Sequence, residues 1–569
     1  MKKSNWLLLV LALVLSMFLA ACSTGGDSEG SEGSDSEGGE GTAEEGGEST
    51  EQVLNLINGD EIPSMDPSMA TDTYAFEFLG ATMEGLYRLG EGGKPVPGIA
   101  KDHTVSDDAL TWTFNLRDDA VWSNGDPVTA NDFVYAWQRA VDPATGSEYG
   151  PYMMGGVIKN ATAVNKGEVP VDQLGVTAKD DHTLVVELEK PVPYFESLTT
   201  FGTFLPLNQA FVEEQGDAFA TDMDKLVYNG PFKFTEWNPG DGDWTLEKNP
   251  DYWDAETVKL EKMNFKVVKD TATGINAYET GEVDRAGLSA DFVDQYSTHE
   301  DYKIQEETTV FWLKFNQVWK DGPSNGALAN ENIRRAISMA FDKQALAETI
   351  LNNGSIPATG VVPLNFAPHP ETGEDFRKIN GDLVTSDVEA AKEAWQKGLE
   401  ELGVDSLTVE FLGDDSDTAK NMNAYLKNQL ETNLEGLTVE LKEVPFEQRL
   451  DLDTNMTYEI EFAGWGPDYL DPNTWLNLWE TGGGNNMMGY SNPEYDALLK
   501  KANNELALKP VERFETFLEM EKILLEEDAA VAPVYQRARA LLVKPYVKGI
   551  LKNPFGPDYE YKWAYKGEE

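Results

Sequence analysis

The sequence predicts a large α/β fold, and three observations carry that prediction. Short strand-like runs alternate with amphipathic helical segments along most of the 569 residues. Beyond the first 50 residues the chain is long enough for about three domains' worth of core. Its 14 Trp and 21 Tyr stand among frequent Pro and Gly turns, a texture unusual in a compact catalytic domain and common where lobes enclose a ligand.

In chain order, Lys2 and Lys3 precede an apolar run from Trp6 to Ala21, shorter than the ~20 residues that a bilayer span needs. Residues 1–21 therefore read as a signal peptide. The run closes on Leu19-Ala20-Ala21-Cys22, which resembles a bacterial lipobox: small residues suit the signal peptidase, and the Cys22 thiol accepts a diacylglycerol. Two acyl chains, at about 0.8 kcal/mol per buried CH₂, give stable anchoring. Cys22 is the only cysteine, so the folded part can hold no disulfide and its stability must come from the core. After the lipidated Cys22, the stretch to residue 50 is almost wholly Gly, Ser, Thr, Glu and Asp. With nothing to bury and self-repelling charge, 22–50 is expected to be a disordered linker, long enough to clear a thick wall of Gram-positive type.

Past the linker no apolar stretch could span a bilayer, and no repeat of 20 to 50 residues is present. Leu110-Thr111-Trp112-Thr113-Phe114 and Thr183-Leu184-Val185-Val186-Glu187-Leu188 read as strands. Thr129 with Asp132 three residues on forms a capping box, and Phe133, Trp137 and Ala140 then share one helical face. A second helix is predicted from about Asn332, with Ile333, Ala336, Ile337 and Ala340 on its apolar side.

The formal net charge is −55. Two lysines and nine acidic residues lie in the first 50 residues, so −48 belongs to the rest. Such a field disfavours nucleic acid and anionic headgroups; it suits cationic ligands, or simply a solvated acidic surface in saline or alkaline surroundings. The four histidines, 103, 182, 299 and 369, are scattered singly and offer no metal-ligand spacing, and no cofactor is expected. Gly26-Asp27-Ser28-Glu29-Gly30 matches GxSxG, but in low-complexity sequence where no strand-turn-helix elbow forms. Gly93-Lys94 is followed by Pro95, and Arg88 stands where a P-loop needs its first glycine. Carboxylate pairs are everywhere in so acidic a chain and single out no acid/base couple.

Several segments, in this order, carry a resemblance. They are Met65-Asp66-Pro67, Met83-Glu84-Gly85-Leu86, Trp112-Thr113-Phe114-Asn115-Leu116-Arg117, and Trp122-Ser123-Asn124-Gly125-Asp126-Pro127-Val128-Thr129-Ala130. Asp132-Phe133-Val134-Tyr135-Ala136-Trp137 and Val141-Asp142-Pro143 follow. Then come Asn229-Gly230-Pro231-Phe232, Asn249-Pro250-Asp251-Tyr252-Trp253, Gly281-Glu282-Val283-Asp284 and Ile333-Arg334-Arg335-Ala336-Ile337. Together they resemble the oligopeptide-binding receptors of ABC importers, family 5 of the extracellular solute-binding proteins, over essentially all of residues 51–569. Most read as turns, caps and core aromatics.

The resemblance implies a two-lobed, periplasmic-binding-protein-like fold (type II, cluster C) with an accessory domain and a hinge. Lobe I would comprise 51–84, 209–308 and 535–569, the accessory domain 85–208, and lobe II 309–534. Crossings near 308 and 535 would form the hinge. The partners implied are an oligopeptide ligand, ABC permease subunits and a membrane reached through the lipid, with the chain a monomer, not an enzyme, and bound to no nucleic acid.

Gly464-Trp465-Gly466-Pro467-Asp468-Tyr469 is the most informative segment. Glycines let a backbone approach a ligand, Trp465 offers a flat wall, and Asp468 gives a carboxylate for an ammonium. In the family the aspartate at this place holds the peptide's α-amino group. Tyr149, Trp312 and Phe446 are carried over as further candidate contacts, each equally readable as core. No Lys or Arg lies between Leu450 and Leu499, so ligand length is not expected to be set by a cation nearby. The rival readings are a receptor for nickel, haem or a signalling peptide on the same fold, and a secreted peptidase, which lacks a nucleophile, metal site or convincing acid pair.

Overall fold

Strand β1 (Val53–Asn58) turns Leu54 and Leu56 inward along a period of two. The computed structural model describes residues 51–568; the expected signal peptide, Cys22 and linker lie outside them. Helix α1 (Thr73–Thr82) begins at Asp72, whose Oδ1 accepts from Ala75 N at 3.0 Å. Strands β2 (Ala100–Val105) and β3 (Thr111–Leu116) lead to helices α2 (Ala130–Val141) and α3 (Tyr149–Met154). Strands β4 (Val176–Asp180) and β5 (Thr183–Glu187) then complete an antiparallel sheet in the order β2-β3-β5-β4. Helix α2 starts at the Thr129–Asp132 capping box and buries Phe133, Trp137 and Ala140, as its sequence predicts.

Strands β6 (Phe232–Glu236), β7 (Asp243–Lys248) and β8 (Lys262–Val267) join β1 in the order β1-β8-β7-β6, with β1 parallel to β8. One hydrophobic core runs from Leu54 to Phe265 and takes in both sheets, so residues 85–208 pack on the same apolar interior as the β1 sheet. Three of the segments that carry the family resemblance, 83–86, 229–232 and 249–253, meet here. Glu84 N donates to Asn229 Oδ1 at 2.9 Å, Asn229 Nδ2 to Glu84 O, and Asn249 Nδ2 to Gly230 O. The Glu84 carboxylate accepts from Arg88 and from Tyr252 Oη. Gly230 is obligatory, because a Cβ there would lie 2.4 Å from Met83 N.

Strand β9 (Arg285–Leu288) and the long β10 (Tyr302–Phe315) precede helix α4 (Glu331–Met339), which buries Ile333, Ala336 and Ile337. A parallel unit follows: β11 (Leu407–Asp414), helix α5 (Asp417–Asn433) and β12 (Leu437–Val444). Helix α6 (Phe446–Thr454), strand β13 (Ile460–Trp465) and the long β14 (Val531–Val543) complete the second large sheet, in the order β9-β14-β10-β13-β11-β12. The crossings expected near 308 and 535 fall inside β10 and β14, which pair antiparallel along most of their length. Register shifts interrupt them between Glu306 and Val310 and between Phe311 and Trp312. Among the described residues no helix is long and apolar enough to cross a membrane.

Candidate functional site

A cavity of about 240 Å³ lies where the start of α1, α3, β10, α6, the end of β13 and β14 converge. Gly464, Trp465, Gly466, Asp468, Tyr149, Trp312 and Phe446 all border it. A second cavity of about 370 Å³ adjoins it, and Tyr74, Asp414, Phe446, Arg537, Arg539 and Asp558 line both. The two are chambers of one cleft.

Asp468 follows β13 and is only 5% exposed. Its Oδ2 accepts from Tyr152 Oη at 3.0 Å, and its backbone N donates to Thr474 Oγ1 at 3.0 Å. Among the described residues no cation pairs with it. Burial pushes its carboxyl up to about 8, and the hydrogen bonds from Tyr152 and Thr474 offset part of that rise.

The aromatic candidates stand in different surroundings. Trp465 is half-buried and lies nearly parallel to Tyr149 at 6.4 Å, and Tyr149 lies parallel to Phe201 at 5.8 Å. Trp312 borders the chamber but is 3% exposed and packed edge-on against Trp475 and Trp479, so most of its surface belongs to a core. Phe446, the first residue of α6, meets Tyr74 edge-on at 5.4 Å. The glycines differ too. A Cβ on Gly464 would lie 2.7 Å from the Phe311 ring, so this glycine makes room for a half-buried aromatic that itself borders the chamber. On Gly466 the nearest atom would be Thr309 Oγ1 at 3.4 Å, an ordinary contact.

Two buried charge networks bound the chamber. In the first, Lys314 Nζ pairs with Asp453 and, at 2.9 Å, with Glu461 Oε2; Arg449 reaches Glu461 Oε1 at 2.5 Å and Asp414 Oδ1 at 2.7 Å. Burial works against the charge on Glu461, and the Lys314 and Arg449 cations outweigh it, holding the carboxyl below its usual range. Burial, reinforced by the Glu461 charge, pushes Asp453 up to about 7. The cations missing from 450–499 thus enter from β10 and from Arg449, each already neutralised by carboxylates. In the second network Glu307, at the register shift of β10, pairs with Arg537 and, at 2.9 Å, with Arg539; Asp558 takes Arg539 at 2.6 Å and Lys552 at 2.7 Å.

Reading the sequence alone missed Tyr152, Asp72, Tyr74, Arg537 and Arg539. Arg537 and Arg539 carried a usable signal: two arginines two residues apart in the run Val531–Val543, apolar but for them and Gln536, must share one face of a strand and demand buried carboxylates there. Tyr152 and Tyr74 carried none, since nothing local separates a cleft tyrosine from a core one. Among the described residues no three His, Cys, Asp or Glu side chains stand where they could hold a metal ion.

Residues 94–487 match the bacterial extracellular solute-binding proteins, family 5. The chain is 35% identical over 514 residues to a dipeptide-binding protein of Lactococcus lactis subsp. cremoris, covering 89% of this chain and 92% of that one. Solved structures share its fold. Listeria monocytogenes OppA bound to peptide superposes with a TM-score of 0.87 at 44% identity, over 92% of this chain and 100% of that chain. The substrate-binding domain of an oligopeptide ABC transporter from Bacillus anthracis gives 0.88 at 45%, over 91% and 99%. With both the family match and the relatives spanning most of its length, this chain belongs to the family 5 bacterial extracellular solute-binding proteins.

Proposed function

We propose that this chain is the extracytoplasmic receptor of a peptide ABC importer, closing on oligopeptides between two lobes and passing them to permease subunits. The observation that supports this best is Asp468: a buried carboxyl with no cation of its own among the described residues, at the edge of an aromatic-lined chamber between distant parts of the chain. A peptide's ammonium is the partner that such a group lacks. Trp465, Trp479 and Asn485 border the same chamber, and their side-chain nitrogens are buried and meet no acceptor among the described residues. Peptide carbonyls suit them. A receptor for many peptides grips the backbone and the charged N-terminus they share, leaving side chains in looser, hydrated space. The names of the relatives, peptide-binding proteins, agree with this.

In this reading lobe I is 51–84, 209–308 and 535–569, the accessory domain is 85–208 and lobe II is 309–534, with the hinge in β10 and β14. The contacts are Asp468, Gly466, Trp465 and Tyr149, with Phe446, Trp312 and Gly464 at the margin. No bond is made or broken, and a monomer is held to the outer face of the membrane by lipid on Cys22. The test is to incubate the protein with a mixed peptide pool and analyse what is retained by mass spectrometry. Intact peptides with free amino termini are expected. A cleaved pool would mark a peptidase, and an empty eluate would end the peptide reading. Cys22→Ala should move the protein from the membrane fraction to the medium.

A further inference from the structure

We infer that Tyr74 and Phe446 form a swinging septum that sets how long a ligand this receptor takes, an inference that rests on the peptide reading above. Their rings meet edge-on at 5.4 Å between the two chambers and line both. The other residues common to the two chambers are tied down by ion pairs: Arg537 to Glu307, Arg539 and Asp558 to each other, Asp414 to Arg449. Neither ring is held by an ion pair: Phe446 meets the Arg449 guanidinium face-on at 5.1 Å, and Tyr74 has no charged partner of its own among the described residues. The Tyr74 hydroxyl makes no hydrogen bond among the described residues, and its tip lies over Gly59 in the farther chamber, where a Cβ would sit 2.6 Å from Oη. Both side chains are half-buried. An edge-on aromatic pair is a weak contact that turns aside through side-chain rotation.

The farther chamber lies between the same two parts of the chain. Lys269 Nζ bridges Asp60 Oδ2 and Asp415 Oδ1 at 2.9 Å each on its wall, joining the segment after β8 to the end of β11. A short peptide held at Asp468 ends against the rings. A longer one parts them and runs into this second chamber.

The test is calorimetric affinity for a dipeptide and an octapeptide of the same N-terminal sequence, in the native protein and in Tyr74→Ala, Phe446→Ala and Tyr74→Trp. The alanine variants should raise the octapeptide-to-dipeptide affinity ratio, by up to about tenfold for a contact of this size. Tyr74→Trp should lower it. A crystal of the octapeptide complex should show main chain passing between displaced rings. An unchanged ratio in all three variants, or an octapeptide leaving the cleft by another route, overturns the septum while the peptide reading stands. If the native protein binds neither peptide, the peptide reading itself falls and the septum with it.

Discussion

Tyr152 Oη stands 3.0 Å from Asp468 Oδ2, so helix α3 and the turn after β13 share one hydrogen bond at the chamber wall. Tyr152 lies in the segment between the two small-sheet hairpins and Asp468 just after β13 of the second large sheet, 316 residues apart. The bond favours the carboxylate, while burial favours the protonated acid. The balance between them decides what Asp468 can hold.

Asp468→Asn should weaken binding of an unblocked peptide by about 2–5 kcal/mol, the range for losing one partner of a desolvated charge pair. N-acetylating the peptide should cost the native protein a similar amount and cost the variant little more. Isothermal titration of the four combinations measures the coupling directly. Full affinity of Asp468→Asn for an unblocked peptide would remove this residue from the site.

Affinity should also depend on pH in a way that follows from burial. Below about pH 8 the Asp468 carboxyl holds a proton in this arrangement, and a cationic ligand must displace it. A peptide amino group itself titrates at about 7.7–8.0. Affinity should therefore climb as pH rises towards 8 and fall above it, with proton release visible in buffers of different ionisation enthalpy. The linkage to stability has the opposite slope. Asp468 ionises near 3.8 when unfolded and near 8 when folded, so the folded state binds the extra proton and its stability falls as pH rises through that window. Tyr152→Phe removes a donor to the carboxylate and should shift both curves upward in pH. An affinity flat from about pH 6 to 8 would contradict the assignment.

What could be read from the sequence was what is local. The α2 capping box spans four residues, and Gly464 to Tyr469 is one continuous segment from the end of β13 into the turn after it, so residue type and spacing suffice there. The septum and the Glu307–Arg537 pair join residues far apart, the latter separated by 230 positions, and single-sequence periodicity carries nothing about such meetings. Gly464 shows a different limit. A glycine beside a tryptophan and an aspartate reads as room for a ligand, yet the ring that needs the room is Phe311, its cross-strand neighbour on β10. Residues flanking the site were legible, whereas which of them serves packing depends on a partner strand that the local sequence does not reveal.

Glu461→Gln should destabilise the fold by about 3–5 kcal/mol, because it leaves Lys314 and Arg449 buried with one carboxylate fewer between them. Chemical denaturation reads this as a lower midpoint with an unchanged slope. Replacing Lys314 by Met in the same chain should recover part of the loss, since one of the two stranded charges is gone. A Glu461→Gln midpoint equal to the native one would mean that water, not the carboxylate, satisfies these cations.

Gly464 and Gly466 should separate stability from binding. An alanine Cβ at 464 meets the Phe311 ring at 2.7 Å, and that ring is held by parallel stacking on Tyr535 at 4.7 Å and 5°. The ring has little freedom to yield, so Gly464→Ala should cost about 1–3 kcal/mol of overpacking and lower the melting temperature. At 466 the added methyl meets Thr309 Oγ1 at 3.4 Å and no backbone strain, so stability should stay within about 0.5 kcal/mol. That methyl stands at the chamber edge beside Trp465, where a peptide main chain would pass, so Gly466→Ala should show in affinity instead. The reverse pattern, a cold-sensitive melt for 466 and lost affinity for 464 alone, would mean that the peptide runs along the Phe311 side of β13.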